Sequence, residues 1–550
     1  MNPKVIFHCL GMSQQNYFKK FVIPVLILAI LFPVIIILLV PSILQGAMVI
    51  GIILVPLALF SIVIIYPISS LEGKKKDIDN NMHYYITHMG VLATSQMSRI
   101  DLLLKLSHTE AYGYLAKETG RIYALVFYWH VSFPVACRFI GNRTPSVLFA
   151  DFLDRLAHSV QAGQPFEDFV ISEQTVVMND FVTMYQDSLN SIDMVKEMFV
   201  SMCMSLIFIV AFAIIMPIIT GVDSILLLGG AIAIFVVTEL VILLYARSKV
   251  PADRIWHTLN IETVADRRIK WSMPVSLFLC MVVTGAVLLF TQLPTTIMFA
   301  LSLTPLLLTG LIARHEEDKI KRFDNNFGAF IRSLGGAAGT RSGLILESLK
   351  ELIGHDFGPL SGNINNLYKR LKTRLNTARS WEHFAAGTGS NLIERFATMF
   401  VEGTNVGGKP TVIGDIISKN FMAILSMRKL RYSSASSLIG VLYGMTAGIA
   451  ATMFLALSII AMLAKLFSNV SLPEIDIGIS IAAIGASNIP LMTSMLMVMM
   501  VCHSLISAML IRVVDGGHHF NTYTHFVGLV WISALTAELT LQGMGPLLGL

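Results

Sequence analysis

Nine apolar runs, each long enough to cross a membrane, constrain this chain of 550 residues more than any other feature. A helix needs about 20 apolar residues to cross the ~30 Å hydrocarbon layer, and it satisfies its backbone hydrogen bonds internally. The sequence therefore predicts an all-α, polytopic membrane protein with about nine transmembrane helices. The runs lie near residues 21–40, 46–66, 198–219, 225–245, 272–290, 295–313, 435–464, 485–511 and 526–547.

The polar sequence between these runs contains an internal repeat. Residues 89–104 align without a gap to residues 334–349, at an offset of 245. That offset pairs Gly90 with Gly335, Gly113 with Gly358, Leu115 with Leu360 and Tyr123 with Tyr368. Further on, residues 152–163 align to residues 392–403 at an offset of 240, which pairs Arg155 with Arg395, Ala157 with Ala397 and Gly163 with Gly403. The chain is therefore predicted to be an internal duplication.

The distribution of basic residues predicts the orientation in the membrane. With 55% hydrophobic and 14% charged residues, the composition excludes an ordinary soluble protein. A cytoplasmic N-terminus places 39 of the 40 Lys and Arg residues inside and only Lys465 outside. Because loops rich in Lys and Arg stay cytoplasmic, we expect a multi-pass protein of the cell membrane with its N-terminus inside and its C-terminus outside.

Two polar blocks are large enough to fold as tandem cytoplasmic helical bundles, residues 67–196 and 314–434. Their apolar residues recur at helical spacing, and clusters of Gly, Ser and Asn mark turns. The rest of the predicted layout is an N-terminus with two spans (1–66), spans three and four (197–245), a basic cytoplasmic loop (246–271), spans five and six (272–313), spans seven and eight (435–511) around an extracellular loop (466–484), and a cytoplasmic turn with span nine (512–550).

The second block carries the positive charge. Residues 67–196 hold 11 basic and 14 acidic residues, a net charge of −3, whereas residues 314–432 hold 18 basic and 11 acidic residues, a net charge of +7. The densest group of cations in this block, at residues 369–379, has two interpretations. It is a solvated face that also attracts anionic lipid, or it is a docking face for an acidic protein. Nucleic acid is not expected, because no aromatic stacking residues alternate with the cations. The densest cluster consists of Lys369, Arg370, Lys372, Arg374 and Arg379.

No enzymatic, cofactor or metal site is expected. Residues 403–409 match the phosphate-loop pattern G-x-x-x-x-G-K, but Pro410 stands where Ser or Thr would hold magnesium, and the preceding stretch predicts a helix instead of a strand. The five cysteines are scattered without metal-ligand or disulfide spacing. His518 and His519 are adjacent in a Gly-rich loop, which is more typical of a polar turn than of a metal site.

Two acidic residues, Glu239 and Glu538, lie within predicted spans. A carboxylate in the hydrocarbon layer costs free energy, so each of the two residues is a candidate functional residue by default. The alternative is a protonated or hydrogen-bonded carboxyl at a helix interface, beside Thr238 or Thr536. Isolated acids without a series of polar partners make a poor proton path, although a secondary transporter remains the competing class.

The two blocks and the hairpins that follow them resemble the platform proteins of type II secretion and type IV pilus systems, the F-domain family. Gly343, Leu346 and Leu349 fit the family phrase L-x-x-G-x-x-L-x-x-A-L, and residues 401–408 are similar to its later phrase G-E-x-x-G-x-L. The first block fits more loosely, since Ser98 stands where a glycine is common. Nine spans resemble the archaeal branch, the archaellum (archaeal flagellum) assembly platforms.

The resemblance implies a scaffold, not an enzyme, that passes prepilin-like subunits, archaellins or pilins, from the lipid bilayer into a filament. It further implies a cytoplasmic hexameric ATPase docked on the basic block, and a homodimer. Under this resemblance the docking residues are the five cations of the dense cluster together with Arg428, Lys429 and Arg431. The filament type, archaellum or adhesion pilus, stays open.

Overall fold

The computed structural model describes residues 14–27, 48–95, 97–220, 223–251, 253–290, 292–340, 345–468 and 489–547. Within these ranges the ordered elements are helical and none is a β-strand, although one isolated β-bridge joins Trp256 to Ser390. The predicted all-α fold is confirmed.

The helices fall into two series of similar lengths. In the first half they are α1 (Gln14–Tyr17), α2 (Met48–Ala93), α3 (Arg99–Ser107), α4 (Tyr114–Phe127), α5 (Phe133–Gly141), α6 (Val147–Gln161), α7 (Phe166–Thr220) and α8 (Ser224–Lys249). In the second half they are α9 (Val264–Phe290), α10 (Thr295–Leu303), α11 (Leu306–Thr340), α12 (Ile345–Leu352), α13 (Ser361–Lys372), α14 (Thr377–Thr388), α15 (Asn391–Asn405), α16 (Pro410–Ser468), α17 (Ile489–Asp515) and α18 (Thr522–Leu547).

Seven of the nine predicted spans lie on described helices that are long and apolar enough to cross a membrane. Six of them involve a single helix each, namely α7, α8, α9, α16, α17 and α18. The seventh is the pair α10 and α11, which bend by 45° at the break between them. Much of the predicted run at 21–40 lies outside the described residues, as do Gly343 and most of the predicted loop at 466–484.

The two series confirm the duplication. Helices α6 and α15 have the same length, and their first residues, Val147 and Asn391, are 244 positions apart. The paired residues Gly113 and Gly358 both adopt left-handed backbone conformations, with φ of 54° and 59°. A side chain would strain the backbone at such a φ, which explains why both copies have glycine there.

The register predicted for the last part of the repeat is wrong by one helical turn. Ser146 caps α6 by accepting a hydrogen bond from Phe149 N, and Ser390 accepts the same bond from Ile393 N. In both copies the serine hydroxyl also donates a hydrogen bond of 2.5 Å to an aspartate, which is Asp79 in the first copy and Asp324 in the second. The offset is therefore 244, not 240, so Arg155 does not correspond to Arg395 and Gly163 corresponds to Gly407, not Gly403. A four-residue slip preserves the helical pattern, which is why sequence spacing alone did not detect it.

One compact unit consists of Met1–Phe181, Gly335–Gly343 and Met399–Asn420. Its core includes Tyr85, whose ring contacts Phe149 edge-on and whose hydroxyl accepts a hydrogen bond from Thr119. Burial of each such aromatic side chain contributes about 1.5–3 kcal/mol to folding. Asn420 donates to Thr87 at 2.9 Å and to Gln174 at 3.1 Å, so the start of α16 belongs to this core.

The other compact unit consists of Val182–Leu334, Leu344–Thr398 and Phe421–Leu550. Its polar half has a core of aromatic rings, in which Phe421 lies 4.9 Å from Phe327 and 5.4 Å from Phe396 between ring centroids. Its apolar half contains the apolar end of α7 and the described spans from α8 onward. The predicted domain boundaries at 67–196 and 314–434 stay predictions.

The close packing of α11 against α16 at Gly335 can be tested by substitution. A Cβ at this position would lie 2.5 Å from the Pro410 carbonyl oxygen and 2.9 Å from Gly414 Cα, whereas a Cβ on Gly336 meets nothing within 4 Å. We expect Gly335→Ala to destabilise the protein by about 1–3 kcal/mol through overpacking. Gly336→Ala should instead stabilise α11 by about 0.5–1 kcal/mol.

Thermal unfolding of the detergent-solubilised protein measures both changes. Opposite shifts of the two variants support the close approach of α11 and α16 at Gly335. Equal shifts would contradict it.

Candidate functional site: a basic tip and a buried arginine cluster

The predicted cations at residues 369–379 form an exposed surface, here called the basic tip. The tip comprises Lys369, Arg370, Lys372, Arg374 and Arg379; Arg370 is half-buried and the other four are exposed. Among the described residues, none of the five forms an ion pair. Their charge is therefore available to solvent or to a partner.

Local hydrogen bonds hold the basic tip in shape. Helix α13 ends at Lys372, and the backbone then reverses through Arg374, which has a left-handed φ of 56°. Leu375 N donates to the carbonyl of Arg370 at 3.3 Å, which closes the end of the helix. The Asn376 side chain then caps α14 by accepting from Arg379 N at 3.1 Å. The tip is a defined turn between two helices.

Arg428 and Arg431 are buried, which corrects their predicted role in docking. Arg428 is 1% exposed and Arg431 is 3% exposed, so neither can present charge to a partner. Lys429, between them, is exposed. The run of three cations looks like a surface in the sequence because their acidic partners lie far away in the chain.

Arg428 is the centre of a buried ion cluster. Its guanidinium makes two 2.6 Å hydrogen bonds to the carboxylate of Asp253 and one of 3.3 Å to Asp324. It also donates to the carbonyl of Arg254 at 2.9 Å. Burial raises the pKa of Asp324 to about 6, against the lowering effect of Arg428. The cluster joins α11, α16 and the loop after α8.

Arg431 extends this cluster to the last residues of α17, directly before the turn between α17 and α18. It donates to the carbonyls of Val513 at 3.0 Å and Val514 at 2.6 Å. In the same turn, Asn521 donates to Glu317 at 2.7 Å. Burial raises the pKa of Glu317 to about 7.

The two adjacent histidines of this turn make structural contacts. The His518 backbone N–H donates to Glu317, and the His518 ring accepts from Phe520 N at 3.2 Å. The second ring, of His519, lies 3.1 Å from the Arg512 guanidinium. Burial lowers the pKa of His518 to about 4, so its ring stays neutral. Among the described residues no group of three metal-ligating side chains is present.

Glu239 has a polar partner that the sequence analysis missed. His503 Nδ1 lies 2.5 Å from Glu239 Oε1, and both side chains are fully buried. The other ring nitrogen of His503 lies 3.1 Å from Thr446 Oγ1, and Cys203 Sγ lies 3.5 Å from the same carboxylate oxygen. Glu239 is therefore not isolated, and its partner is not the predicted Thr238, which bonds to its own helix.

Glu538 also has a partner from another helix. Thr296 Oγ1 donates to it at 2.8 Å, and Gln542 donates to its other oxygen at 2.7 Å. The predicted neighbour Thr536 is not the donor. The polar side chains of the apolar half thus bond helices to one another.

The phosphate-loop pattern is a turn between helices. Helix α15 ends at Asn405, Gly407 has a left-handed φ of 81°, and Pro410 begins α16. A helix precedes the turn, as the sequence predicts, and not the strand that a phosphate-binding loop requires. Ser98, which stands where the family phrase favours glycine, caps α3 by accepting from Asp101 N at 3.2 Å.

A match to a family model defines the class of protein to which this chain belongs. Residues 85–214 match the family model described as "Type II secretion system (T2SS), protein F". This match covers the first block from residue 85 onward and continues into the third predicted span; the sequence phrase of this block was the looser of the two. The helical blocks and apolar helices are those of a membrane-embedded assembly platform of the type IV pilus-like class.

Two full-length relatives then identify the family. The chain is 36% identical to Flagella accessory protein J of Methanocaldococcus jannaschii, over 98% of this chain and 97% of that protein. It is 35% identical to Flagella accessory protein J of Methanococcus voltae, over 96% of each. The chain belongs to the Flagella accessory protein J family. No solved structure matches it.

The buried arginine generates a test by substitution. We expect Arg428→Met to destabilise the protein by about 3–5 kcal/mol, because it leaves the carboxylates of Asp253 and Asp324 without their cation. Lys429→Met, one residue further on, should change the stability by less than about 0.5 kcal/mol, because Lys429 is exposed.

Thermal unfolding in detergent gives both values. Nearly equal values for the two variants would contradict the ion cluster.

Proposed function

We propose that this protein is the assembly platform of the archaellum, which couples a cytoplasmic hexameric ATPase to the insertion of prepilin-like subunits into the filament. Its membership of the Flagella accessory protein J family supports the filament type. The observation that carries the ATPase contact is the basic tip, with five cations that lack acidic partners among the described residues. Complementary charge of this kind sets the orientation and rate of association between proteins.

Motion would pass from the ATPase to the membrane along continuous helices. Helix α16 runs without a break from Pro410 to Ser468 and includes an apolar span, and α7 does the same from Phe166. Arg428 fastens α16 to α11 and to the loop after α8, so that a displacement of α16 carries these segments with it. The displaced spans would then move the subunit helix into the filament.

The same proposal includes the arrangement in the membrane. The N-terminus lies in the cytoplasm and the C-terminus outside, because the cytoplasmic segments then hold 39 of the 40 basic residues. The platform acts as a homodimer, in lipid, with archaellin subunits as its cargo. An adhesion pilus or a secretion system is the alternative within the same class.

Charge reversal at the basic tip tests the proposal in cells. We expect Lys369→Glu, Lys372→Glu and Arg374→Glu together to abolish swimming and surface filaments while the protein stays in the membrane. The matched control reverses three exposed lysines elsewhere, Lys117, Lys409 and Lys419, and should still swim.

Electron microscopy of the cell surface, a swimming assay and an immunoblot of the membrane fraction give the readout. Loss of thin adhesive fibres with swimming intact would move the assignment to an adhesion pilus. Normal filaments in the tip variant would contradict the ATPase contact.

A secondary transporter is the second candidate, and the buried pair of Glu239 and His503 favours it. A carboxylate beside an imidazole within the spans is a possible route for a coupled proton. The platform account instead treats the pair as a bond between helices. We expect cells with Glu239→Gln and Glu538→Gln to keep their filaments and swim, because Gln retains a hydrogen-bonding group at each site. Loss of function here, with the basic tip dispensable, would establish the transporter.

A further inference from the structure

Two arginines and a histidine meet at the polar ends of spans four and eight. Arg247 and Arg512 lie just beyond the predicted ends of these spans, at residues 245 and 511, and His519 lies in the turn that follows α17. We call these three residues the interfacial cations. Among the described residues, neither arginine forms an ion pair with a carboxylate, so their charge calls for another explanation.

Helices α8 and α17 pack side by side and run in the same direction. A Cβ on Gly229 would lie 3.7 Å from Met495 Cε. Further along α8, Glu239 Oε1 lies 2.5 Å from His503 Nδ1, which is also further along α17. The contacts follow the same order on both helices, so the last turns of the two helices also lie beside each other.

These last turns bring the two arginines to one level. Arg247 is eight residues beyond Glu239 and Arg512 is nine residues beyond His503, which is about 12–14 Å along each helix. Burial and then the charge of Arg247 lower the pKa of Arg512. Burial, followed by the charges of both arginines, lowers the pKa of His519. Positive charge is therefore concentrated at one place on the helix pair.

Most hydrogen-bond donors of the interfacial cations lack a protein acceptor. Arg512 Nε donates to the Gly517 carbonyl at 3.4 Å, and Arg512 Nη2 lies 3.1 Å from His519 Nε2. Because arginine can only donate, Nε2 accepts, and the neutral ring carries its proton on Nδ1. The other donors of Arg512, those of Arg247 and this Nδ1–H have no acceptor among the described residues. An anion with several oxygens would satisfy them.

The nearby carboxylates bind to other groups. Glu317 accepts from two neutral donors of the turn before α18, and Asp515 pairs with Lys321 at 4.0 Å. Glu317 raises the pKa of Arg512, but by less than burial and Arg247 lower it. The positive charge of the arginines is therefore not balanced within the described part of the chain.

Exposed apolar side chains lie directly below the two arginines. Leu244 precedes Arg247 by three residues and Met509 precedes Arg512 by three, so each lies on the same helix face as its arginine, one turn deeper in the span. Leu244 is 65% exposed and Met509 is 39% exposed. A free phosphate ion would contact the cations alone, whereas a phospholipid would also cover these apolar side chains. The surface therefore favours lipid.

We propose that Arg247, Arg512 and His519 bind the phosphate of an anionic phospholipid headgroup, whose acyl chains lie along Leu244 and Met509. Guanidinium groups form bidentate, charge-assisted hydrogen bonds with phosphate oxygens, and phosphates lie at this depth of a bilayer. In the predicted orientation the site faces the cytoplasmic leaflet. One bound headgroup would join the end of α8 to the turn after α17. The proposal depends neither on the ATPase contact nor on the filament type.

Thermal unfolding of the full-length protein in a neutral detergent, with ligand added in increasing amounts, tests the proposal. The ligands are phosphatidylglycerol, phosphatidylcholine with the same acyl chains, and inorganic phosphate. The variants are Arg247→Gln alone and Arg247→Gln with Arg512→Gln. Since Arg247 has no hydrogen bond to another described residue, the single variant should fold normally.

The matched control is Arg254→Gln with Arg267→Gln. It removes two exposed arginines from the predicted basic loop at 246–271, so it changes the net charge by as much as the double variant does. Any difference between the control and the double variant therefore reports the site and not the total charge.

We expect phosphatidylglycerol to raise the unfolding temperature of the wild type and of the control at concentrations where phosphatidylcholine and inorganic phosphate have little effect. Each lost guanidinium should weaken the binding of phosphatidylglycerol about tenfold. Equal responses of the double variant and the control would overturn the site, because diffuse positive charge would then explain the binding. Equal effects of the two lipids, or of inorganic phosphate and phosphatidylglycerol, would overturn an anionic phospholipid as the ligand.

Discussion

The buried ion cluster of Arg428 is the interaction on which the second compact unit depends. A guanidinium taken out of water is costly unless its donors are satisfied, and here two carboxylates and a carbonyl accept from it. Asp253 lies in the loop after α8, and Asp324 lies on α11. The cluster therefore specifies how these segments meet α16. It also explains why Arg428 and Arg431, close to the predicted span, do not serve as a docking surface, whereas the basic tip, on the exposed turn between α13 and α14, remains free to do so.

The duplication separates what the fold requires from what the function uses. Both copies keep the pair of an aspartate and a capping serine, Asp79 with Ser146 and Asp324 with Ser390. Both also keep the left-handed turn at the end of α4 or α13. The side chains just before that turn differ, with Phe127, Tyr128 and Trp129 in the first copy aligned to Leu371, Lys372 and Thr373 in the second. Such divergence at exposed positions, beside unchanged caps and turns, shows that the fold does not depend on particular side chains there.

Much of this architecture could be predicted from the sequence, because spans and helical blocks are local patterns. The apolar runs of spans three to nine, the duplication and the exposed cluster at 369–379 all follow from composition and spacing. What could not be predicted depends on contacts between distant residues. Arg428 lies 175 positions from Asp253 and His503 lies 264 positions from Glu239, so their burial and pairing have no local signal. The offset of 244 between the copies follows from the helix caps Ser146 and Ser390, which a helical pattern in the sequence does not reveal.

Crosslinking with a lysine-reactive reagent, followed by mass spectrometry, tests most directly the claim that the ATPase binds at the basic tip. The measurement uses membranes that contain this protein and the ATPase together. The account predicts that Lys369 and Lys372 crosslink to the ATPase. Crosslinks to the ATPase from the lysines next to the predicted spans, such as Lys74 and Lys270, with none from Lys369 or Lys372, would contradict it.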